Sequence, residues 1–423
     1  MMIGLLKNGL TLSISLLLFA CKGGMHSYDT FAGYPGFKEY YAGRCKGEQP
    51  TSPVSDHDKE LLFNYSPRLI LPPGSRYPID FYRDYLPYTV LRWYRDKSLL
   101  KTEVAPEDLK AYQDDTSVYF DLDKKRFIAS GLDKRVGNGP SSPFDHKRPV
   151  VYARSYREKV ELSDEQGQPK AYNLIFLKYN VVFAVSGLPA ELPMGLETLL
   201  RLMGLDPDDW HELDNFVAIH IVLDDKEMPL AILLAQHNHH RTYLVGKGIP
   251  LPADSHILFD VALRSNEIYP ASDAPGPVRH RVAQWAIYMK YLLSGEDPPF
   301  FHGEDVTYGM RAGGTDVAYD LTVLSPCDPF YTASIMLGEP RPFFGRYIGR
   351  DGPPGADYYT IPELLPLGNL LKFSYLHDGD PEDINLVDRA IDPKTRKMDN
   401  EKIMAYGGRK LYRDLIDKSS QLR

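Results

Sequence analysis

Residues 208–270 read DDWHELDNFVAIHIVLDDKEMPLAILLAQHNHHRTYLVGKGIPLPADSHILFDVALRSNEIYP, and this stretch decides the fold. Its runs at 216–223, 230–236, 241–245 and 256–263 are rich in β-branched and aliphatic residues bounded by turn formers, which is the pattern of strands. Asp224-Asp225-Lys226-Glu227 separates the first two, so they are expected as an antiparallel hairpin. Six of the twelve histidines fall between His211 and His256, among these strands. A half-buried strand face must hydrogen-bond or hydrate each polar side chain it carries, so this crowding marks a candidate site.

Outward from this stretch, 150–154, 159–162 and 172–183 are further β-branched and aromatic runs around a polar turn at 164–168, the first half of the same sheet. The segment 193–205 (PMGLETLLRLMGL) has apolar residues at helical spacing and packs on that sheet. Upstream, 56–63 starts as a helix and prolines then impose turns and edge structure through 82. Residues 105–114 open with a proline and acids, as helices do, and 118–122 and 126–129 flank Asp123-Lys124-Lys125 as a hairpin. Downstream, 276–294 is expected as a helix with Val282, Trp285, Ala286, Met289 and Leu293 on its apolar face. Glycine, proline and aromatics dominate 295–366, with one strand at 317–324, and a charged helix closes the chain at 400–422. The expectation is a mainly-β α+β protein: an antiparallel β-sandwich core over 56–295 with flanking helices, then an irregular C-terminal lobe over 296–423.

The first residues carry a different signal. Lys7 precedes an apolar run at 9–20, of signal-peptide length and too short to span a bilayer. The run ends in Leu18-Phe19-Ala20-Cys21, which resembles a bacterial lipobox. That resemblance implies a signal peptide over 1–20, acylation of Cys21, a tether over 21–55, and a membrane as the partner of the lipidated end. Lys22 stands where lipoproteins retained at the inner membrane usually have Asp, which points to the outer membrane. Ordinary cleavage near Ala20, leaving Cys21 free, is the alternative. In an oxidising envelope compartment Cys45 and Cys327 form a natural disulfide, though two buried thiols fit equally well. A net charge of −8 without a basic run argues against a nucleic-acid partner.

Several short motifs recur in an order that is similar to a known group. Tyr152-Ala153-Arg154, the strand ending Lys178-Tyr179-Asn180, Ala235-Gln236-His237-Asn238, 261–266 (VALRSN) and Tyr269-Pro270 resemble the necrosis-inducing and Vps62-related β-sandwich families. The resemblance implies a β-sandwich and a divalent cation bound by carboxylates and histidine, used in lipid-headgroup recognition. This chain departs from that pattern: Asn180 stands at the position of the first carboxylate. The acidic metal motif aligns either on Asp214 with one ligand kept, or on Asp209-Trp210-His211-Glu212 with a shifted register.

The residues themselves nominate a pocket of Glu212, Asp214, His237, Asn238, His239, His240 and Arg241, completed by Asn266 and Glu267. Glu212 and Asp214 suit a hard cation, and His237 and His239 a transition metal. Arg241 is placed to pair with Glu212 or with a ligand anion. A solvated strand start, a polar lining and a turn are the competing readings of the acids, the histidines and Asn266-Glu267. His211-Glu212-Leu213-Asp214-Asn215 lacks the second histidine of the zinc-protease helix, no nucleophile elbow or phosphate loop occurs, and Cys327 has no histidine partner in sequence. The expected function is an envelope-anchored protein that binds a polar lipid or glycan headgroup, with a divalent cation as one means. A metal-dependent hydrolase using the same cluster and a structural envelope protein are the alternatives.

Overall fold

The computed structural model describes residues 54–93, 95–112, 117–137, 148–164, 166–192, 195–202, 204, 206–214, 218–236, 239–247, 249–252, 254–281, 303–325, 327–332, 336–338, 342–343, 346–347, 367–375 and 400–421. The lipobox, the expected tether and Cys45 lie outside them.

In chain order the first half contains α1 (Asp56–Asn64), β1 (Arg68–Leu71), β2 (Thr89–Trp93), β3 (Leu99–Lys101), α2 (Pro106–Ala111), β4 (Val118–Leu122), α3 (Lys124–Ala129), β5 (Val150–Ser163), β6 (Pro169–Val181) and β7 (Phe183–Ser186). There follow α4 (Leu196–Leu202), β8 (His211–Asp214), β9 (Ala218–Leu223), β10 (Pro229–Gln236), β11 (His239–Leu244), β12 (Leu258–Val261), β13 (Ile268–Pro270) and β14 (Val278–Arg281). The chain closes with β15 (Glu304–Thr307), β16 (Thr315–Val317), β17 (Asp320–Val323), α5 (Pro329–Thr332), α6 (Leu367–Ser374) and α7 (Asn400–Gln421).

Strand alternation builds the architecture. Along β6, Ile175, Leu177, Tyr179 and Val181 point to one face, while Leu174, Phe176, Lys178 and Asn180 point to the other. The first face belongs to a six-stranded sheet, β11-β10-β9-β6-β5-β17, which meets a four-stranded sheet, β13-β12-β1-β16. Leu177, Tyr179, Ile219, Ile221 and Leu234 of the larger sheet share one buried cluster with Leu69, Leu71, Phe259, Val261 and Ile268 of the smaller. The expected mainly-β α+β class with a sandwich-like core is what the chain adopts. The hairpin expected across residues 224–227 joins β9 to β10 in antiparallel register.

The second face of the six-stranded sheet is covered by two separate apolar patches. At one end α6 and α7 contribute Leu371, Tyr375 and Leu411 to a cluster with Val160, Phe176, Val222 and Leu233. At the other, Phe81, Tyr85, β2, β4, Phe330 and Tyr331 pack with Val150 and Tyr152. Two strands after residue 303 complete the two sheets: β17 pairs with β5 in parallel and β16 with β1 antiparallel.

Two sequence expectations change. Residues 278–281, expected at the start of a helix, form β14, because Val278 to Arg281 pair antiparallel with β15; 282–302 lie outside the described residues. Residues 126–129, expected as a strand, belong to α3. There the Asp123 carboxylate accepts from Arg126 N at 3.1 Å and caps the helix, so the aspartate read as a turn residue is a helix start.

The contact of α7 with α6 has its own test. A Cβ on Gly407 would collide with the backbone O of Lys372. Alanine favours a helix interior by about 1 kcal/mol over glycine, but overpacking against backbone costs about 1–3 kcal/mol. Gly407→Ala is therefore expected to lower the urea midpoint, and an unchanged or raised midpoint contradicts the close approach. Among the described residues no helix is long and apolar enough to cross a membrane.

Candidate functional site

Between the two apolar patches on the second face runs a band of buried polar side chains. Register puts Arg154 of β5 directly opposite Lys178 of β6, and Lys178 directly opposite His220 of β9. Asn180 follows two positions along β6, opposite Tyr152. Arg154 is 1% exposed, Lys178 and His220 are 0% and Asn180 is 3%, so the band lies fully inside the protein. Arg154 and Lys178 are thus two basic side chains set directly opposite one another on a buried sheet face.

Arg154 is the centre of the band. Its guanidinium carbon lies 3.8 Å from the Tyr331 ring centroid and 4.5 Å from that of Tyr156. The Lys178 ammonium lies 5.7 Å from the same Tyr331 ring. None of the three guanidinium nitrogens of Arg154 has a hydrogen-bond acceptor among the described residues, and neither do the hydroxyls of Tyr156 and Tyr331. Two desolvated cation–π contacts contribute about 2 kcal/mol each, whereas burying a guanidinium costs several kcal/mol. Aromatic faces alone therefore leave the charge under-compensated. A guanidinium cannot shed its proton to escape the cost, and its planar fork matches a phosphate or carboxylate.

Local structure explains how Tyr331 comes to lie on Arg154. Asp328 precedes α5, and its carboxylate accepts from Phe330 N at 2.9 Å and from the Tyr82 hydroxyl. Phe330 packs against Tyr152 with ring centroids 4.8 Å apart and the rings tilted by 37°, which seats the segment on the sheet. Cys327, at the head of the segment, is disulfide-bonded; both other cysteines lie outside the described residues. Burial, with the Asp328 charge, raises the Tyr82 phenol well above its ordinary range, and burial also raises Asp328. Asp328→Ala removes the carboxylate that accepts from the half-buried Tyr82 hydroxyl and leaves the Phe330 amide only its 3.2 Å bond to that same hydroxyl, so it is expected to cost about 1–3 kcal/mol in unfolding experiments. Asp328→Asn, which keeps an acceptor, should cost less, and equal losses would contradict the capping role.

The residues nominated from sequence are distributed differently. Glu212 is fully buried on β8, where its Oε1 accepts from Leu122 N and, at 3.3 Å, from the Tyr85 hydroxyl. It ties β8 to β4 and the aromatic patch. Asn266 sits in the left-handed region at φ 61° and donates to Val185 O at 3.0 Å, and Glu267 O accepts from Ala262 N at 2.7 Å. Both serve the tight turn between β12 and β13. Arg241 stands opposite Leu234 on β11, its guanidinium 5.7 Å from the Tyr243 ring. Strand pairing therefore separates Arg241, on the sandwich side of the sheet, from Arg154 on the other.

His237 and Asn238 lie outside the described residues, as do the side chains of Asp214, His239 and His240. By backbone register His239 pairs with Gln236 and His240 with Ala235, so the two belong to opposite faces. Among the described residues no group of three or more His, Cys, Asp or Glu side chains is placed to hold a metal ion.

A second polar cluster lies beyond the four-stranded sheet. Asp305 accepts from the Ser265 and Tyr269 hydroxyls at 2.7 Å each. His280 lies 2.9 Å from the Thr307 hydroxyl and stacks on Tyr269 at 3.8 Å. Burial, reinforced by Arg241 against the opposing charge of Asp305, holds His280 down at about 4, so it is neutral at pH 7. Asp305 and Thr307 are fully buried, and this cluster locks β13, β14 and β15 together.

The molecule is thus a mainly-β α+β sandwich protein with a buried basic ladder on the helix-covered face of its larger sheet. No protein-family model, curated protein or solved structure matches the chain. Arg154, Lys178 and Asn180 fall within the short motifs of the sequence but are not among the residues nominated for the pocket. The available signal was three basic residues on strands whose neighbours are apolar, at Arg154, Lys178 and His220.

Proposed function

We propose that this chain is a cell-envelope lipoprotein, anchored through acylated Cys21 in the outer membrane, that binds the anionic part of a lipid or glycan headgroup. The observation that supports it is Arg154: a guanidinium inside the protein, clasped by two aromatic rings, with no acceptor for its nitrogens among the described residues. A phosphate or carboxylate oxygen pair accepts from such a fork in two parallel bonds, with Lys178 next in register. Tyr331 covers the guanidinium, so uptake requires the Tyr331 ring to move aside. Direct contact with Arg154 takes the place of a bridging divalent cation in this reading.

The test is calorimetric titration of the chain with inorganic phosphate, glycerol phosphate, glucuronate and neutral glucose, repeated with Arg154→Lys and Arg154→Met. Anion binding that weakens in the lysine variant and vanishes in the methionine variant supports the reading. Binding of glucose alone, or anion uptake unchanged in Arg154→Met, sinks it. Acylation is tested separately by incorporation of labelled palmitate, which Cys21→Ser should abolish.

A further inference from the structure

From a different part of the molecule, and independently of the Arg154 reading, we infer that the β2–β3 hairpin is a docking element for an anionic lipid surface. On either side of its turn the hairpin exposes three large apolar side chains within eight residues: Trp93 is 41% exposed, Leu99 50% and Leu100 36%. The tip is a defined structure, since Trp93 N donates to Ser98 O at 2.9 Å, Lys97 N donates to Trp93 O at 2.9 Å, and Lys97 takes φ 59°. These side chains are therefore held outward by a closed turn.

The charges on the hairpin select the occupant. Arg92, Arg95, Lys97 and Lys101 face a single acid, Asp96, within the hairpin of a chain whose net charge is −8. At the base, Arg92 is held by Asp121 and Lys101 by Asp108, each with a closest approach of 2.7 or 2.8 Å. Arg95 and Lys97 stand exposed at the tip beside Trp93. An indole at the level of the headgroups, aliphatic side chains beside it and cations next to anionic lipid are the pattern of an interfacial anchor. A second copy of the chain pairing on this edge is disfavoured, because β3 has only three residues and lysines lie at and near its ends.

The test uses the full chain and its Trp93→Phe variant in vesicles of phosphatidylglycerol and phosphatidylethanolamine, with a fraction of lipids brominated on the acyl chains. The wild type should show blue-shifted tryptophan emission and quenching by the brominated lipid that Trp93→Phe lacks. Leu99→Ser with Leu100→Ser should remove that quenching, and raised salt should reduce it. Trp93 emission that ignores brominated lipid overturns the inference, and so does equal quenching in phosphatidylcholine vesicles. A dimer in solution that dissociates on Leu99→Ser also overturns it, by assigning the hairpin to a second copy.

Discussion

Arg154→Met yields a protein that is more stable than the wild type by about 1–4 kcal/mol in the absence of anions and that no longer responds to phosphate. The reasoning turns on which of two costs is larger. The wild type gives up the hydration of a permanent charge at a site 1% exposed. Against this it gains two aromatic contacts, at 3.8 and 4.5 Å, of about 2 kcal/mol each, and it sets a second basic side chain directly opposite. Methionine reaches only as far as the arginine Nε, but it carries no charge, adapts its rotamer to irregular space and packs its thioether favourably against aromatic rings. Urea unfolding of both proteins, with and without phosphate, measures the difference. Phosphate should raise the wild-type midpoint by mass action and leave that of Arg154→Met in place. A loss of about 3–5 kcal/mol in Arg154→Met would mean that a carboxylate already compensates the guanidinium, and the anion site would have to be abandoned.

The second large effect is a pH dependence located in Asp260. This residue of β12 is fully buried, and its Oδ2 accepts from Ser272 N at 2.9 Å, while Oδ1 has no partner among the described residues. Burial, with a smaller contribution from the Asp273 charge, raises its carboxyl to about 6 from an ordinary 3.8. Because the folded-state value is the higher one, the native protein binds the proton more tightly than the unfolded chain does. The stabilising contribution is fully present below about pH 4 and is lost as pH rises through 6, amounting to about 3 kcal/mol for a shift of this size. Asp260→Asn keeps an acceptor for Ser272 N and carries no charge. It should match the wild type near pH 4 and exceed it by up to about 3 kcal/mol at pH 7.5. Denaturant midpoints at the two pH values decide the matter, and parallel curves for the two proteins would remove Asp260 as the origin.

Both sites show why a strand's sequence is only half of its meaning. The alternation in 172–181 is legible, and it correctly separates Leu177 and Tyr179 from Phe176 and Lys178. Alternation does not say what covers the second face, and so says nothing of the burial of Lys178. It is buried because α5, more than 140 residues later, lays Tyr331 over it. Asp260 and Asn266 illustrate the same limit. Their identities suit a strand end and a turn, but burial under the loop at 272–274 gives Asp260 its raised affinity for protons. Glu212 suits a cation by residue type alone, and its hydrogen bonds to Leu122 and Tyr85 depend on segments brought together from 90 and 127 residues away.

By itself the sequence determined the local elements with strong period or turn chemistry: the β5–β6 and β9–β10 hairpins, the helix closing the chain, and a mainly-β α+β class. Those properties depend on residues within a few positions of one another, where side-chain period and turn preference act directly. Tertiary structure alone decided the parallel addition of β17 to β5, the recruitment of 278–281 into a strand, and the burial of Arg154, Lys178 and His220 in one ladder. These depend on which distant segment covers a face or completes an edge, and the free energy of that choice lies in surfaces that do not exist until the chain has folded.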